Sequence, residues 1–326
     1  MQQGNKNAEH VGLGIDLGGT KIAGALFNSE GMVSQKEVLY LENKVGDQVG
    51  EQISQLIRTF TDWSSKNNML IVTIGVAVPG IYNSKNGHVW APNIPGWDDF
   101  PLMEKLNGQF RDVEIKIDSD RACYILGETW KGAAIGSKHA IFLAVGTGIG
   151  AGILIDGKVL RGKDDIAGSI GWMAITDSFI PEYSKYGCFE YHASGPGISR
   201  MAKEIYDQYP GSFEDTDKLK VEEMTTNDIF KAFEKGNSLA NKVISQSIQF
   251  WGKASANLVS LFNPEIVIFG GGVFGPAVQF LDEIYLEAKK WAQPVSIKKV
   301  QFKASELGSD AGLYGAGYLS LGSTIK

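Results

Sequence analysis

After a polar leader (MQQGNKNAEH), read as disordered, the chain runs into VGLGIDLGG, an apolar stretch that ends in glycines. TKIAGALFN, SEG and MVSQKEVLY follow, a pattern that predicts strand, turn, strand, turn, strand with no helix after the glycine loop. The period then lengthens. Val49, Ile53, Leu56, Ile57, Phe60 and Trp63 recur at intervals of three and four, which predicts an amphipathic helix over 46–66. LIVTIGVAVPG (70–80) reads as a buried strand that stops at Pro79-Gly80. Four prolines between 79 and 101, counting Pro79, make 81–101 a predicted loop. VEIKIDSD (113–120) is a further strand ending at Asp120, and RACYILGETWKGAA continues as a helix.

The opening pattern then restarts. HAIFLAVGTGIGAGILIDGKVLRG repeats strand, glycine loop, strand, turn, strand. Two halves that each begin with a strand, glycine loop and hairpin are expected of a duplicated fold with a cleft between the halves. Helices are predicted near 196–208 and 238–262, and a buried strand with a glycine turn in NPEIVIFGGGV (263–273). A helix over 276–291, a strand at 297–304 and a last helix from about 311 complete the reading.

Length changes the picture first: 326 residues are too many for one ordinary core, so two domains are expected. Glycine is abundant at 40 residues while proline is only 10, and the glycines cluster in short loops where a backbone can approach a ligand closely. The formal net charge of −6 argues against nucleic acid as a partner, because phosphate contacts need clustered Lys and Arg. The leader lacks the apolar region of a signal peptide, no run reaches membrane-spanning length, and Cys123 and Cys188 could form at most one disulfide. A reducing cytoplasm is the expected compartment, with no membrane partner.

Three readings of the glycine loops compete. Gly146-Thr147-Gly148-Ile149-Gly150-Ala151 fits G-x-G-x-x-G/A, but a dinucleotide site needs a helix next, and ILIDGKVL is a strand and a turn. Gly14 to Gly19 has Walker-A spacing, but Thr20-Lys21 reverses the required order. The third reading is a pair of hairpin loops whose backbone N–H groups wrap phosphate oxygens, with Asp16 anchoring a metal-bound water network. Tight β-turns alone would also use these glycines.

In order, GIDLGGTKIAG, GVAVPG, APNIPGW, SDRACYILGE, AVGTGIGAGILIDGKVLRG, GCFEYHASGPGI, NPEIVIFGGGV and LGSDAGLYGAG resemble the ROK family of sugar kinases and repressors, over roughly 11–320. The resemblance implies an α/β, actin-like (ribonuclease H-like) duplicated two-domain fold with Mg-ATP in an interdomain cleft. It implies an N-terminal lobe of 1–120 joined by a C-terminal helix at 311–326, and a second lobe of 121–310. Asp16, Gly18, Gly19, Thr20 and Lys21 would form the first phosphate loop, with Asp16 holding Mg²⁺ through water. Gly146, Thr147, Gly148 and Gly150 would form the second, and Gly195, Gly271 and Gly272 would lie near the adenosine. Pro79, Gly80, Asn93, Ser119, Asp120 and Glu190 would meet the sugar. ROK proteins are often dimers, so a homodimer is expected. The short stretch before the first strand disfavours the repressor branch, whose members carry an N-terminal helix-turn-helix.

The departures from the family pattern matter as much. The E-x-G-H segment is Ser169-Ile170-Gly171-Trp172 here, and the zinc loop keeps only Cys188, after Tyr183, Ser184 and Lys185. One thiolate with no ligating set cannot build a tetrahedral zinc site, so no zinc is expected, and His192 four residues on is expected to be structural. Ser169 and Trp172 imply a reshaped sugar pocket; Trp172 either stacks on an apolar sugar face or fills volume left by the zinc loop.

Phosphoryl transfer needs positioning, charge neutralisation and a carboxylate to receive the hydroxyl proton. Asp120 is expected to be that base while also capping the helix it opens. Asp118 is the rival at period two, and Arg161 and Lys163 read as solvated surface. The expected activity is ATP-dependent phosphorylation of a hexose, on the 6-hydroxyl by family analogy. Domain closure would exclude water. The alternatives are a non-catalytic sugar-binding or regulatory protein, and an actin-like filament or chaperone ATPase.

Overall fold

A computed structural model describes residues 8–209, 221 and 223–322. The chain divides into two compact units, one drawn from Met1–Gly136, Val159–Ala167 and Ser309–Lys326, the other from Ser137–Lys158 and Gly168–Gly308.

The first unit is built on a five-stranded sheet in the order β3-β2-β1-β4-β7. Its strands are β1 (Glu9–Leu17), β2 (Lys21–Phe27), β3 (Val33–Tyr40), β4 (Met69–Val78) and β7 (Glu114–Ser119). β1, β2 and β3 form an antiparallel meander, and β4 and β7 add in parallel beyond β1. Alternation along a strand sends successive side chains to opposite faces. Val11, Leu13, Ile15 and Leu17 therefore enter the core beneath α1 (Asp47–Lys66), where Val49, Ile53, Leu56, Ile57 and Phe60 lie buried as the three-and-four spacing predicts. Gly12, Gly14 and Asp16 face the other way, toward α10 (Ala311–Leu321).

Glycine on that second face is a packing requirement. A Cβ at Gly14 would lie 2.6 Å from the Gly317 backbone N, and one at Gly75 would lie 2.1 Å from the Ala316 carbonyl. α10 also packs against α3 (Asp120–Lys131) so closely that a Cβ at Gly315 would stand 1.9 Å from the Cys123 carbonyl. No side chain fits in such a contact, and α10 can lie flat on the sheet only because its own glycines and those of the strands meet.

Several expectations meet corrections here. Glu9 and His10 belong to β1, paired with Met69 and Leu70, so the leader read as disordered is shorter; its residues 1–7 lie outside the described residues. The proline-rich stretch 81–101 is not all loop. β5 (Ile81–Asn83) and β6 (His88–Trp90) form a hairpin, and Val89 bridges Phe100. Burial of Trp97, stacked on Phe100 at 4.4 Å and donating from Nε1 to the Gly46 carbonyl at 2.9 Å, organises the rest of the segment. α2 (Leu102–Gln109) follows, with Leu102 and Leu106 buried. The division after residue 120 is displaced, because α3 packs on α10 and keeps the chain in the first unit to Gly136.

The second unit repeats the sheet plan, in the order β10-β9-β8-β11-β12. Its strands are β8 (Ala140–Val145), β9 (Ile149–Ile155), β10 (Lys158–Val159), β11 (Ile266–Gly270) and β12 (Gln301–Ala304). β8 and β9 are antiparallel, and β11 and β12 add in parallel. Its core joins Ile141, Leu143, Val145, Ile153, Val267 and Phe269 to Trp251 on α8 (Ser238–Phe262). The helices α4 (Tyr183–Tyr186), α5 (Cys188–Ala193), α6 (Gly195–Gln208), α7 (Thr226–Glu234) and α9 (Leu281–Trp291) complete it. The predicted helix 276–291 starts as a 3₁₀ segment over Pro276–Phe280, and the strand predicted from 297 begins only at Gln301. Neither α4 nor α5 is legible in the periodicity. α7 carries a reciprocal Thr225–Asp228 capping box that the T-x-x-D spacing encodes.

Candidate active site

In the first unit, the candidate residues gather at the C-terminal ends of three neighbouring parallel strands. Asp16 on β1 stands opposite Ala77 on β4, and Ala77 stands opposite Asp118 on β7. Strand spacing therefore puts Asp16 and Asp118 about 10 Å apart in one row on one face. Pro79-Gly80 leaves the end of β4, and Asp120 follows the end of β7. Gly80 has φ +80°, and a Cβ there would meet the Trp90 carbonyl at 2.2 Å, so this turn needs glycine.

The first glycine turn closes with Gly18 N–H donating to the Lys21 carbonyl at 2.9 Å, leaving Gly19 and Thr20 exposed at its tip. A Cβ at Gly19 would lie 3.1 Å from Nδ2 of Asn93, which brings the expected sugar residue Asn93 beside the expected phosphate loop. The partly buried Asp16 carboxylate lies against the first turn of α10, where a Cβ at Gly312 would sit 2.7 Å from Oδ2. Burial, then the neighbouring Asp120 charge, pushes Asp16 up to about 7; Lys21 opposes and Asp310 adds to the rise.

Asp120 does not cap α3. Ser119 does, its Oγ accepting from the Ala122 N–H at 3.3 Å, so the serine hydroxyl expected at the sugar is engaged in the helix. Freed of that task, Asp120 accepts from its neighbour's backbone, Arg121 N–H at 2.7 Å, and from Tyr124 Oη at 3.3 Å. Burial pushes it up to about 6 against the Arg121 charge and these hydrogen bonds. Tyr124 in turn is raised well above its ordinary range, first by the Asp120 charge. Arg121 also reaches the Gly80 carbonyl at 3.2 Å, tying the end of β4 to the start of α3.

Asp118 is otherwise engaged. Its Oδ1 accepts from Ser119 N–H at 2.8 Å, and its Oδ2 takes Nε (3.1 Å) and Nη2 of Arg161. Arg161, expected as solvated surface, is an ion-pair partner, and Asp165 reinforces the same segment by accepting from the Ser84 N–H and Oγ at 2.9 and 2.8 Å.

In the second unit, β8 turns into β9 through Gly146, Thr147 and Gly148, with Gly146 N–H donating to the Gly148 carbonyl at 2.9 Å; Gly150 follows within β9. Gly195 N–H donates to the Gly146 carbonyl at 2.8 Å, and Gly271 (φ +87°) crosses so near β8 that a Cβ would lie 2.4 Å from the Val145 carbonyl. Gly272 has open space at its Cβ position. The structure thus collects Gly146, Gly195, Gly271 and Gly272 around the ends of β8 and β11. Thr226, which the sequence reading missed, belongs with them: its Oγ1 donates to the Gly195 carbonyl at 2.6 Å.

Glu190 lies at the root of the second glycine turn. Its Oε2 accepts from Ile149 N–H at 2.7 Å and lies 3.0 Å from where Cβ atoms at Gly148 and Gly171 would stand. Burial raises its carboxyl, opposed by that N–H. Ser169 and Trp172 flank a 3₁₀ turn over Ile170–Trp172, and Trp172 is 57% exposed. His192 stacks on Phe250 at 4.6 Å and pairs through Nε2 with Tyr183 Oη at 2.6 Å; burial, then Arg200, pushes it down to about 4, which leaves it neutral. Cys188 Sγ meets Thr176 Oγ1 at 3.3 Å. Among the described residues no three His, Cys, Asp or Glu side chains stand together as a metal-ligating group. No described helix is long and apolar enough to cross a membrane.

The repeated sheet plan, with glycine turns at the ends of its strands in each unit, defines an α/β protein of the actin-like, ribonuclease H-like duplicated type. Residues 12–322 match the ROK family; the chain belongs to that family, and it is a sugar kinase. It is 32% identical over 315 residues to a glucokinase from Halalkalibacterium halodurans, covering 94% of each chain. A ROK family glucokinase from Streptomyces griseus, solved in complex with glucose and AMPPNP, superposes with a TM-score of 0.75 at 27% identity, over 95% of this chain and 99% of that one. The xylose repressor of Caldicellulosiruptor bescii is 32% identical over 298 residues, 88% of this chain and 70% of the repressor.

Proposed function

We propose that this kinase transfers the γ-phosphoryl group of ATP to a hexose hydroxyl, the 6-hydroxyl by family analogy, with Asp120 as general base. The names of the glucokinase relatives make glucose the first hexose to try. In the step, the hydroxyl oxygen bonds to the γ-phosphorus while the bond from that phosphorus to the β–γ bridging oxygen breaks. The hydroxyl proton passes to Asp120, and ADP leaves.

The observation that carries the reading is the state of Asp120. A carboxylate pushed up to about 6 is mostly ionised at neutral pH yet basic enough to take a proton in the transition state. Its rival Asp118 is held by Arg161 and is a poorer acceptor. Glycine turns in both units offer backbone N–H groups suited to phosphate oxygens. Gly19 and Thr20, Gly146 to Gly148 and Gly271-Gly272 take that role in this reading, with Gly195 at the adenosine and Lys21 screening charge. Pro79-Gly80, Asn93, Glu190, Ser169 and Trp172 would shape the sugar site.

Asp16 suits a hydrated divalent cation. Its carboxylate is raised by burial and by Asp120, a repulsion that Lys21 only partly offsets, so added positive charge nearby would be favourable. Mg²⁺, when bound, neutralises charge on the transferring phosphates. Asp16 would orient its water shell, and Gly312 leaves room for the carboxylate to do so. A cytoplasmic homodimer with no nucleic-acid partner, judged from the net charge of −6, completes the proposal.

A second reading, a regulatory protein that binds sugar without turning it over, draws on Ser169 and Trp172 at altered sugar positions and on the likeness to a repressor. ADP release measured over hexoses, amino sugars and fructose separates the two. Turnover with at least one sugar is expected, and silence with all of them, alongside measurable sugar binding, would support the regulatory reading.

A further inference from the structure

We propose that Tyr124 is a positioning residue for proton transfer, its hydroxyl holding the Asp120 carboxylate in the orientation in which it takes the sugar proton; this rests on Asp120 being the base, as proposed above.

The helix sets the contact. Residues four apart on a helix lie one above the other, and Asp120 opens α3 with Tyr124 one turn on. Tyr124 Oη therefore reaches Asp120 Oδ2, at 3.3 Å, while Oδ1 accepts from Arg121 N–H at 2.7 Å. An aspartate side chain turns about two bonds, and the second of them is a broad, weakly restricted rotor. A donor on each oxygen fixes both rotors; with the backbone donor alone, the carboxylate would swing about Oδ1. An ionised carboxylate oxygen has more than one acceptor site, so Oδ2 can hold the Tyr124 hydroxyl and still take a proton.

The platform beneath this pair is stiff. Ser119 caps the helix, and Arg121 ties its first turn to the Gly80 carbonyl at 3.2 Å. Cys123 and Ile125, on either side of the partly buried Tyr124, are fully buried. A base whose supporting group sits on a packed helix starts each turnover already aimed, so no ordering cost falls on the chemical step.

Tyr124 is not itself the acceptor. The Asp120 charge, then burial, holds its hydroxyl well above the ordinary range, so it remains a protonated donor at neutral pH. A donor to an ionised carboxylate favours the ionised form, and the Tyr124 bond opposes the burial that drives Asp120 toward the acid. The charges acting on the pair are those of Arg121 on α3 and Asp16 on β1; Asp16 in turn feels Lys21 on β2 and Asp310 at the start of α10. Tyr124→Phe removes none of them. It keeps the ring and deletes only the hydroxyl.

The test measures kcat and KM by ADP release in the wild type, Tyr124→Phe, Asp120→Asn and the double variant, using whichever hexose, amino sugar or fructose the wild type turns over fastest. Tyr124→Phe should lower kcat about tenfold with the sugar KM within twofold and the melting temperature within a few degrees. The acidic limb of kcat/KM should move to higher pH, because a donor that favoured ionised Asp120 is gone. Beside Asp120→Asn, the same change should lower kcat less than twofold, since no carboxylate is left to hold. An unaltered kcat in Tyr124→Phe would overturn the positioning role and leave Asp120 as the base. A loss carried entirely by KM, a fall in kcat with the limb unmoved, or a tenfold fall repeated in the double variant would do the same. Full turnover by Asp120→Asn would sink the base assignment, and the role of Tyr124 with it.

Discussion

Arg161 grips Asp118 with two nitrogens of one guanidinium, Nε at 3.1 Å and Nη2 closer, both on Oδ2. With Oδ1 taken by the Ser119 N–H, a mostly buried carboxylate one strand away from Ala77 is fully engaged. Two aspartates separated by one residue thus have different work: Asp118 anchors the 159–167 segment, and Asp120 keeps its basicity.

Removing the guanidinium leaves Asp118 buried without its cation. Because the Arg161 side chain is itself 41% exposed, Arg161→Ala is expected to cost about 1–3 kcal/mol, below the figure for a fully buried pair. Asp118→Asn should recover part of that loss in the double variant. Urea denaturation of the four proteins gives the coupling energy, and strictly additive losses would contradict the pairing.

Asp120 must be ionised to accept a proton, and its carboxyl is pushed up to about 6. The kcat/KM for sugar should therefore fall as pH drops through about 6, losing roughly tenfold per unit below it. Asp120→Asn should lower kcat by about 10²–10⁴ and remove that acidic limb, with sugar binding within a fewfold of wild type. Survival of turnover in the variant would mean that another group takes the proton.

Asp16 leads to a stability prediction with a definite sign. Its folded value, about 7, lies above the ordinary 3.8, so the fold favours the protonated acid. That contribution is fully present below about pH 4 and is gone once pH has risen through about 7. In Mg²⁺-free buffer, Asp16→Asn should be more stable than the wild type at pH 8, by roughly 2–4 kcal/mol, and nearly equal to it at pH 4. The same variant should lose most activity in the presence of Mg²⁺. Thermal melts at the two pH values check the first part, and a higher melting temperature for the wild type at pH 8 would refute it.

Metal removal distinguishes the two ions that the family resemblance brings in. A zinc-selective chelator is expected to leave both activity and melting temperature unchanged, since His192 is bonded to Tyr183 and stacked on Phe250, and Cys188 meets Thr176. EDTA in excess over Mg²⁺ should abolish turnover, and added Mg²⁺ should restore it. Zinc found by elemental analysis at one equivalent per chain would count against this account.

Much of the candidate site could be named from the chain because its residues lie in stretches whose local pattern is strong. The three-and-four spacing of Val49 to Phe60 gives α1, and the glycine turns after β1 and β8 announce themselves by composition. Tyr124 could have been found too: it lies four residues after Asp120 on a helix, the spacing at which side chains meet. Arg161 could not, because nothing near it in sequence shows that the segment after β10 returns to Asp118, 43 positions earlier. Nor could the hairpin and buried Trp97 within a proline-rich stretch, whose order comes from packing at long range.

Local chemistry by itself determined where strands end, where backbones turn on glycine and which carboxylates stand at those ends, because alternation and turn preference act over a few residues. Tertiary structure alone decided what each carboxylate can do. Ser119 took the cap, Arg161 took Asp118, and burial raised Asp16 and Asp120. Charge, desolvation and close packing depend on neighbours brought together from distant parts of the chain, and those neighbours exist only once it has folded.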